Sequence, residues 1–156
     1  MAGTRRPAQD TGIRHLGPGI EFNLISAIFE HLHDGLAYID PYLVIRAANR
    51  VFADQMRCSL EDLVGRPAEE AIPGWTEQVS PIYHQVRETG QSFRNGAHPF
   101  VFREQPERGT TYWESTVFPV YEPDGEFEGY LLVHREVTER VRAHRECQRA
   151  DTGQRG

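Results

Sequence analysis

The chain has 156 residues, of which 38% are apolar and 26% are charged, and its formal net charge is −6. This length fits one globular domain and is too short for a second full domain. An acidic chain lacks the basic stripe that is typical of nucleic-acid binders, so the composition predicts that nucleic acid is not a partner. All 17 basic residues are arginine, which excludes Schiff-base chemistry by a lysine of this chain.

The cysteine content and the hydropathy predict a cellular location. Cys58 and Cys147 are too few for a disulfide framework and lack the spacing of metal ligands, so we expect reduced thiols and no metal site. The sequence has no apolar run long enough to span a bilayer, and its polar N-terminus does not resemble a signal peptide. The predicted location is therefore the cytoplasm, with no membrane partner.

The N-terminal part of the chain divides into a leader and a helix. Residues 1–19 lack periodicity and predict a flexible leader. From Ile20, apolar residues recur at helical spacing up to a glycine stop at Gly35. This stripe is wider than a helix needs if it only packs on its own sheet, which is the competing interpretation, so we predict that part of it forms a homodimer contact. The stripe consists of Leu24, Ile25, Ile28, Phe29 and Leu32.

A hairpin and two short helices are predicted next. Leu36–Asp40 and Leu43–Ala48 have strand composition and flank a proline-containing turn. Asn49 can then cap one helix, and Ser59 with Asp62 resembles the capping box of another.

A longer helix and a third strand follow. The helix runs from about Pro81 to Thr89, with Ser80 as a suitable N-cap and Gly90 as its stop, although the sequence leaves its start open. His84 points away from the apolar stripe of this helix. The third strand is predicted at His98–Arg103. The stripe that should face the sheet contains Val79, Ile82, Tyr83 and Val86.

The last ordered stretch predicts a long hairpin. Thr111–Tyr121 and Phe127–Val137 are rich in β-branched and aromatic residues and flank a turn sequence, Glu122-Pro123-Asp124-Gly125. Because side chains alternate along a strand, each strand has one face that mixes bulky groups with a few polar ones. Such a face is more typical of a ligand-facing wall than of a plain core. The side chains concerned are Trp113, Ser115 and Val117 in the first strand and Tyr130, Leu132 and His134 in the second.

Three segments together resemble a PAS sensor domain over about Phe29–Arg140. They are AANRVFADQMRCSLEDLVGRP around Asn49, the helix ending Glu88–Gly90 and the closing FPVYEPDGEFEGYLLVHREVTER. The most specific match is Arg135–Arg140, which is similar to the Arg-Asp-Ile-Thr-Glu-Arg exit of the family into a signalling helix. The resemblance implies an α+β fold with a five-stranded antiparallel sheet of order 2-1-5-4-3, helices on one face and a pocket between them. It divides the chain into a leader (1–19), the PAS domain with its N-terminal flanking helix (20–140), and the start of a C-terminal signalling helix with a tail (141–156).

The cofactors of known PAS domains are not favoured by this sequence. In flavin-binding relatives a reactive cysteine follows Gly-Arg-Asn, whereas here Gly65-Arg66-Pro67 is followed by Ala68. In haem-binding relatives the iron ligand is a histidine at the position of Val79, and His84 lies on the wrong face of the same helix. We therefore expect neither haem nor flavin, and the identity of any cofactor stays open.

The resemblance also places His134 in the pocket, because the matching position of flavin-binding relatives contacts the cofactor. The alternative is a hydrogen-bonded core histidine without a ligand. The exit segment Glu136, Val137 and Thr138 is expected to relay the signal. The sheet order adds part of the first strand to the wall, so the predicted ligand-binding set is Ala37, Ile39, Trp113, Ser115, Val117, Tyr130, Leu132 and His134.

Two classes of function remain open. The first is a non-catalytic sensor module, either stand-alone or linked to an effector kinase, phosphatase or cyclase domain. The second is a small cone-shaped α+β enzyme that uses Tyr, His and a carboxylate for acid–base chemistry. The enzyme class is disfavoured because such folds begin with helices and then form a long curved sheet, whereas here a complete strand hairpin precedes the middle helices. In addition, the candidate pair His134 and Glu114 should lie on opposite faces of the sheet.

Overall fold

The structure is a computed structural model that describes residues 17–72, 75, 79–102 and 104–154. Residues 1–16, which hold most of the predicted leader, lie outside the described residues. The elements in chain order are α1 (Pro18–His31), β1 (Gly35–Ile39), β2 (Ile45–Ala48), α2 (Arg50–Met56), α3 (Leu60–Leu63), α4 (Ala68–Ala71), α5 (Ser80–Thr89), β3 (Phe93–Val101), a 3-10 helix (Pro106–Arg108), β4 (Thr110–Tyr121), β5 (Phe127–Glu136) and α6 (Thr138–Gln154).

The five strands form one antiparallel sheet in the order β2-β1-β5-β4-β3, which confirms the predicted α+β topology. The long β4–β5 hairpin places its strands in adjacent positions, with β5 between β4 and β1. Ser115 lies directly opposite His134, so both side chains point to the same face of the sheet.

Asn49 fixes the position of α2 against β1. Its Oδ1 accepts hydrogen bonds from the amides of Phe52 and Leu36, both at 2.9 Å, and its Nδ2 donates to the carbonyl of Asp34. The first of these bonds is the predicted N-cap, and the other two tie the helix to the strand. Ser59 caps α3 by accepting from the amide of Asp62 at 3.2 Å, as its capping pattern predicted.

Several element boundaries differ from the predictions. An additional one-turn helix, α4, follows Pro67, which stands at its N-cap, where the missing N–H removes no hydrogen bond of the helix. Ser80 is the first residue of α5 rather than its N-cap, and its hydroxyl accepts from Trp75 Nε1 at 3.3 Å. The third strand begins at Phe93 rather than at His98. Its pairing with β4 shifts register between Asn95 and His98, which hides the alternation in the sequence.

The helices α2 to α5 and one face of the sheet share the hydrophobic core. α1 takes no part in it, since most of its large apolar side chains are exposed. No helix in the described part of the chain is long and apolar enough to cross a membrane. The core is centred on Phe52, Ile39, Ile45, Leu63, Val86, Phe102, Trp113 and Tyr130.

Candidate ligand cavity

A cavity of about 410 Å³ lies between the helices and the strands β3, β4 and β5. This volume falls within the range of about 300–1,000 Å³ that is typical of small-molecule sites. Most of its wall is apolar or aromatic. The described residues that line it are Met56, Ile72, Trp75, Val79, Ile82, Tyr83, Phe93, Asn95, His98, Pro99, Phe100, Phe102, Trp113, Ser115, Val117, Leu132 and His134.

Three polar side chains cross the sheet side of this cavity in one line. Asn95 of β3 lies opposite Ser115 of β4, which in turn lies opposite His134 of β5. We call these three residues the polar row. The neighbouring line of the sheet, Phe93 with Val117 and Leu132, is apolar. The sheet therefore presents a polar row beside an apolar one, and on the other side of the polar row His98 lies opposite Trp113.

His134 is held between two aromatic rings. Its ring centroid lies 5.2 Å from that of Trp113 and 5.9 Å from that of Phe52. Its Nδ1 is buried and has no hydrogen-bond partner among the described residues. Burial, with a smaller contribution from the nearby His98, lowers the pKa of His134 to about 4. The imidazole is therefore neutral at pH 7 and has one nitrogen available for a further hydrogen bond.

The hydroxyl of Ser115, like Nδ1 of His134, is buried without a hydrogen-bond partner among the described residues. A buried polar group without a partner costs about 1–3 kcal/mol, so such a group indicates a water, an ion or a ligand that completes its hydrogen bonds, or a strained or catalytic site. Two of them side by side on one cavity wall indicate a binding surface for a polar group.

The structure brings Trp113, Ser115, Val117, Leu132 and His134 of the predicted set together on the cavity wall. The other three predicted residues, all within the described ranges, do not line it, and the expectation for them is corrected. Ala37 and Ile39 face the same side of the sheet, but α2 packs against β1 and buries both completely. Tyr130 is covered by Tyr83 and Phe127, whose ring centroids lie 5.0 Å away.

Much of the opposite wall of the cavity was not predicted as part of a site. Trp75, Val79, Ile82 and Tyr83 come from α5 and the segment before it. The inward stripe of α5 was recognisable from its helical spacing, but no sequence signal shows that a stripe borders a cavity rather than a solid core. On β3, Phe93 and Asn95 are two residues apart and face the same side, as alternate residues of a strand do. This spacing could have extended the predicted strand beyond His98 toward its true start at Phe93.

The two positions that carry the iron ligand and the reactive cysteine in relatives hold Val79 and Ala68 here. Val79 lines the cavity but offers no ligand for iron, and His84 is exposed on the outer face of α5, as its helical phase predicted. Ala68 is buried and is not part of the described lining. Among the residues with a described placement, no cluster of His, Cys, Asp and Glu could hold a metal ion.

Glu114 and Cys58 are also separate from the cavity wall. Glu114 lies on the opposite face of β4 and forms an ion pair with Arg140 of α6. The prediction that Glu114 and His134 lie on opposite faces of the sheet is therefore correct, and Glu114 cannot act together with His134.

Cys58 and Cys147 carry free thiols. Burial, followed by the charge of Asp62, raises the pKa of Cys58 and so disfavours its reactive thiolate.

A buried arginine connects the cavity wall to the start of α6. The guanidinium carbon of Arg108 lies 4.0 Å from the ring centroid of Phe102 and 5.9 Å from that of Trp113. Its Nη2 donates to Glu136 Oε1 at 3.2 Å, and its Nη1 donates to the carbonyl oxygen of Gln55 at 2.9 Å. The side chain of Arg108 is only 5% exposed.

The predicted relay segment follows directly from this arginine. The second carboxylate oxygen of Glu136 accepts from the hydroxyl of Thr138 at 2.8 Å, and that hydroxyl accepts from the amide of Tyr112 at 3.0 Å. The amide of Val137 donates to the carbonyl of Tyr112 at 2.7 Å. The first turn of α6 is thereby fixed to β4 and, through Arg108, to two rings of the cavity wall.

A sheet of this order with a cavity between it and its helices defines an α+β sensor-type domain. A family model described as the PAS fold matches residues 29–142, and the chain belongs to this family of signalling sensor modules. Proteins of this kind are generally non-catalytic. No curated protein sequence matches the chain.

Solved structures with the same fold include PAS domains from several bacteria. A PAS domain from Colwellia psychrerythraea has a TM-score of 0.62 and 19% identity, and the match covers 76% of this chain and 98% of that one. The PAS domain of nitrogen regulation protein NR(II) from Vibrio parahaemolyticus has a TM-score of 0.58 and 21% identity, with 72% and 97% covered. VqmA of Vibrio cholerae, in a complex with a ligand and DNA, has a TM-score of 0.63 and 20% identity, with 80% and 53% covered.

The last of these neighbours overturns the prediction that nucleic acid is not a partner. The VqmA structure is a complex with DNA, and this chain matches about half of that protein. A domain of this fold is therefore found in a protein that binds nucleic acid. The acidic net charge was the only ground for the exclusion, and it describes a sum over one chain rather than the surfaces that meet a partner.

Proposed function

We propose that this chain is a non-catalytic sensor that binds a small molecule in the cavity and passes the bound state to α6. The observation that carries the proposal is the pair of buried, unpartnered polar atoms, Ser115 Oγ and His134 Nδ1, in a mostly apolar cavity wall. A ligand that supplies the missing hydrogen bonds stabilises the conformation in which both atoms contact it. It therefore binds this conformation more tightly than others, and such a difference in affinity is what shifts a protein between two states.

The route of the signal leads through Arg108. Phe102 and Trp113 line the cavity on one side, and Arg108 packs against both rings while it binds Glu136. A ligand that displaces either ring changes the position of the guanidinium and hence of the carboxylate it holds. Glu136 and Thr138 then transmit this change to the first turn of α6. The predicted effector kinase, phosphatase or cyclase domain stays a prediction, as does the location in the cytoplasm.

An enzymatic role has less support. The acid–base chemistry considered from the sequence needs a tyrosine and a carboxylate beside His134. Glu114 is engaged by Arg140 on the other face of the sheet. Tyr83, the buried tyrosine of the cavity wall, has its pKa raised by burial and by Tyr130, which makes it a poor proton donor at neutral pH.

The ligand should be detectable in freshly purified protein. We expect a native mass above the mass of the chain, and no absorption band beyond that of the aromatic residues. His134→Leu should lower the ligand occupancy several-fold, because the leucine removes a hydrogen-bonding group but keeps an apolar side chain in the wall. The measurement is native mass spectrometry with an absorption scan of the same sample.

His84→Leu is the matched control for this experiment. The same substitution on the exposed face of α5 should leave occupancy unchanged. A Soret or flavin band would contradict the expected ligand type, and a native mass equal to the bare chain would contradict small-molecule binding. Loss of ligand in His84→Leu would show that the register of α5 is wrong.

We also propose that α1 mediates a homodimer. Ile25 is 63% exposed and Ile28 is 48% exposed, which supports the dimer over the interpretation that the whole stripe packs on the sheet of its own subunit. Leu24 and Leu32 are exposed too, and Phe29 is half-buried. Exposed apolar patches of this kind mark interaction surfaces. Covering them stabilises by up to about 1.5–3 kcal/mol for each large side chain that becomes fully buried.

Ile28→Glu should convert the dimer to a monomer, because a charge would then be buried without a partner in the interface. Light scattering at micromolar concentration measures the change. Asn23→Glu adds the same charge to an exposed position on another side of α1 and should preserve the dimer. A wild-type chain that is already monomeric, and that Ile28→Glu does not alter, would reject the dimer.

A further inference from the structure

The polar row gives the cavity a chemical preference. Ser115 and His134 lie directly opposite each other on antiparallel strands, where Cβ atoms are about 4.5–5.5 Å apart. Two such side chains can therefore contact neighbouring atoms of one ligand. A serine hydroxyl both donates and accepts, and a neutral imidazole has one donor and one acceptor nitrogen. Asn95, the third member of the row, adds an amide with both functions.

The remaining wall favours a flat ring. Trp75 and Tyr83 face the cavity from the helical side, and their ring centroids lie 5.0 Å apart. Phe102 and Trp113 face it from the side of the sheet and its loop, at 5.9 Å from each other. Aromatic surfaces on two sides of a cavity bind planar ring compounds by offset or edge-to-face packing.

The charge of the wall disfavours an ion. Of the described residues that line the cavity, none is Asp, Glu, Lys or Arg, and the titratable side chains among them are those of Tyr83, His98 and His134. The positive charge of Arg108 lies close by, but its guanidinium is bound by Glu136 and by two further oxygens. Transfer of an ion into such surroundings is costly without an opposite charge or several hydrogen bonds. Burial also keeps His134 in its neutral form, so it offers no fixed charge.

We propose that the cavity takes an uncharged planar ring compound whose edge carries a hydrogen-bond donor beside an acceptor, as a cyclic amide does, with that edge toward Ser115 and His134. This ligand class rests on the proposed small-molecule sensor. Ser115 Oγ and His134 Nδ1 are covered by neighbouring side chains. The proposed contact therefore requires a change of the serine rotamer and a half-turn of the imidazole, which keeps the outline of the ring.

Three bicyclic probes of similar shape test the ligand class by isothermal titration calorimetry. 2-Quinolone carries the cyclic-amide edge, naphthalene lacks any polar edge, and quinaldate carries a negative charge. For the ligand-free chain we expect 2-quinolone to bind roughly 10-fold more tightly than naphthalene, because naphthalene leaves both wall atoms unpartnered. Quinaldate should bind more weakly than either.

Two variants of β4 locate the effect. In Ser115→Ala the advantage of 2-quinolone over naphthalene should fall to about 3-fold or less, since one of the two partners is gone. Thr116→Val removes the next hydroxyl along the strand, which points to the opposite face of the sheet, and should keep the 10-fold ratio.

The outcomes separate the ligand class from the proposed function. Equal affinity for 2-quinolone and naphthalene, or tightest binding of quinaldate, would overturn the ligand class and leave small-molecule sensing intact. An unchanged ratio in Ser115→Ala would overturn the role of the polar row. Absence of binding by all three probes would also overturn the ligand class, whereas the native mass of the freshly purified chain decides the proposed function independently.

Discussion

Lowering the pH from about 7 to about 4.5 should reduce the free energy of unfolding by about 2–3 kcal/mol through His134 alone. The histidine is buried between Phe52 and Trp113, and its pKa in the folded chain is about 4, below the value of 6.5 for an exposed histidine. Between about pH 6.5 and pH 4 the unfolded chain binds up to one more proton than the folded chain. The stability from the neutral histidine is therefore complete above about pH 6.5 and is lost as the pH falls toward 4.

Urea unfolding at several pH values between about 7 and 4.5 measures this effect. In His134→Leu the slope of stability against pH should flatten by up to about 1.4 kcal/mol per pH unit in that window. His84→Leu makes the same replacement on the exposed face of α5 and should keep the wild-type slope. If both variants lose stability on acidification as the wild-type chain does, His134 is not the group that titrates.

The sheet was predictable because its signals are local. The turn chemistry between Tyr121 and Phe127 sets the β4–β5 hairpin, and the period of two then assigns the side chains of both strands to a face as far as the register shift between Val120 and Tyr121. The same rule separated Glu114 from His134 correctly. Asn49 and Ser59 were recognised as caps because their residue types stand directly before helical segments. The strand order, in contrast, came from the resemblance to PAS domains and not from any one pattern.

The extent of the cavity was not predictable from the alternation of side chains along the strands alone. The alternation places Ile39 and Tyr130 on the same face as Trp113. Packed helices and aromatic rings nevertheless cover Ile39 and Tyr130, and of these three residues only Trp113 borders the cavity. Which part of a face is filled depends on how distant helices pack over it, and no local pattern encodes that. For the same reason the contribution of Trp75 to the opposite wall could not be read from the sequence.

Arg108 also had no sequence signal, because it follows a proline in a polar loop that reads as solvent-exposed. Its side chain is nevertheless almost fully buried. Three hydrogen bonds and two aromatic rings compensate for the loss of water around the guanidinium, which is the condition under which a cation can be buried. A buried cation that several elements share is costly to remove.

Arg108→Met should therefore lower the free energy of unfolding by about 2–4 kcal/mol. Methionine keeps part of the apolar contact with Phe102, but it leaves the carbonyl of Gln55 and the carboxylate of Glu136 without their donor. Because the Glu136 side chain is about one third exposed, water takes over part of its interaction, and this holds the cost below that of a fully buried pair. Arg108→Lys should recover only part of the loss, since an ammonium lacks the planar fork that binds several oxygens at once.

Arg57→Met is the matched control, because the ion pair of Arg57 with Glu107 is exposed on both sides and should contribute less than about 1 kcal/mol. Urea unfolding gives the stabilities of all three variants. Hydrogen exchange at the amide of Val141, which donates to the carbonyl of Val137 in the first turn of α6, tests the relay. We expect this amide to exchange faster in Arg108→Met and unchanged in Arg57→Met. Equal exchange in both variants would mean that Arg108 stabilises the fold without connecting the cavity to α6, and a stability loss no larger than that of Arg57→Met would refute its role in the core.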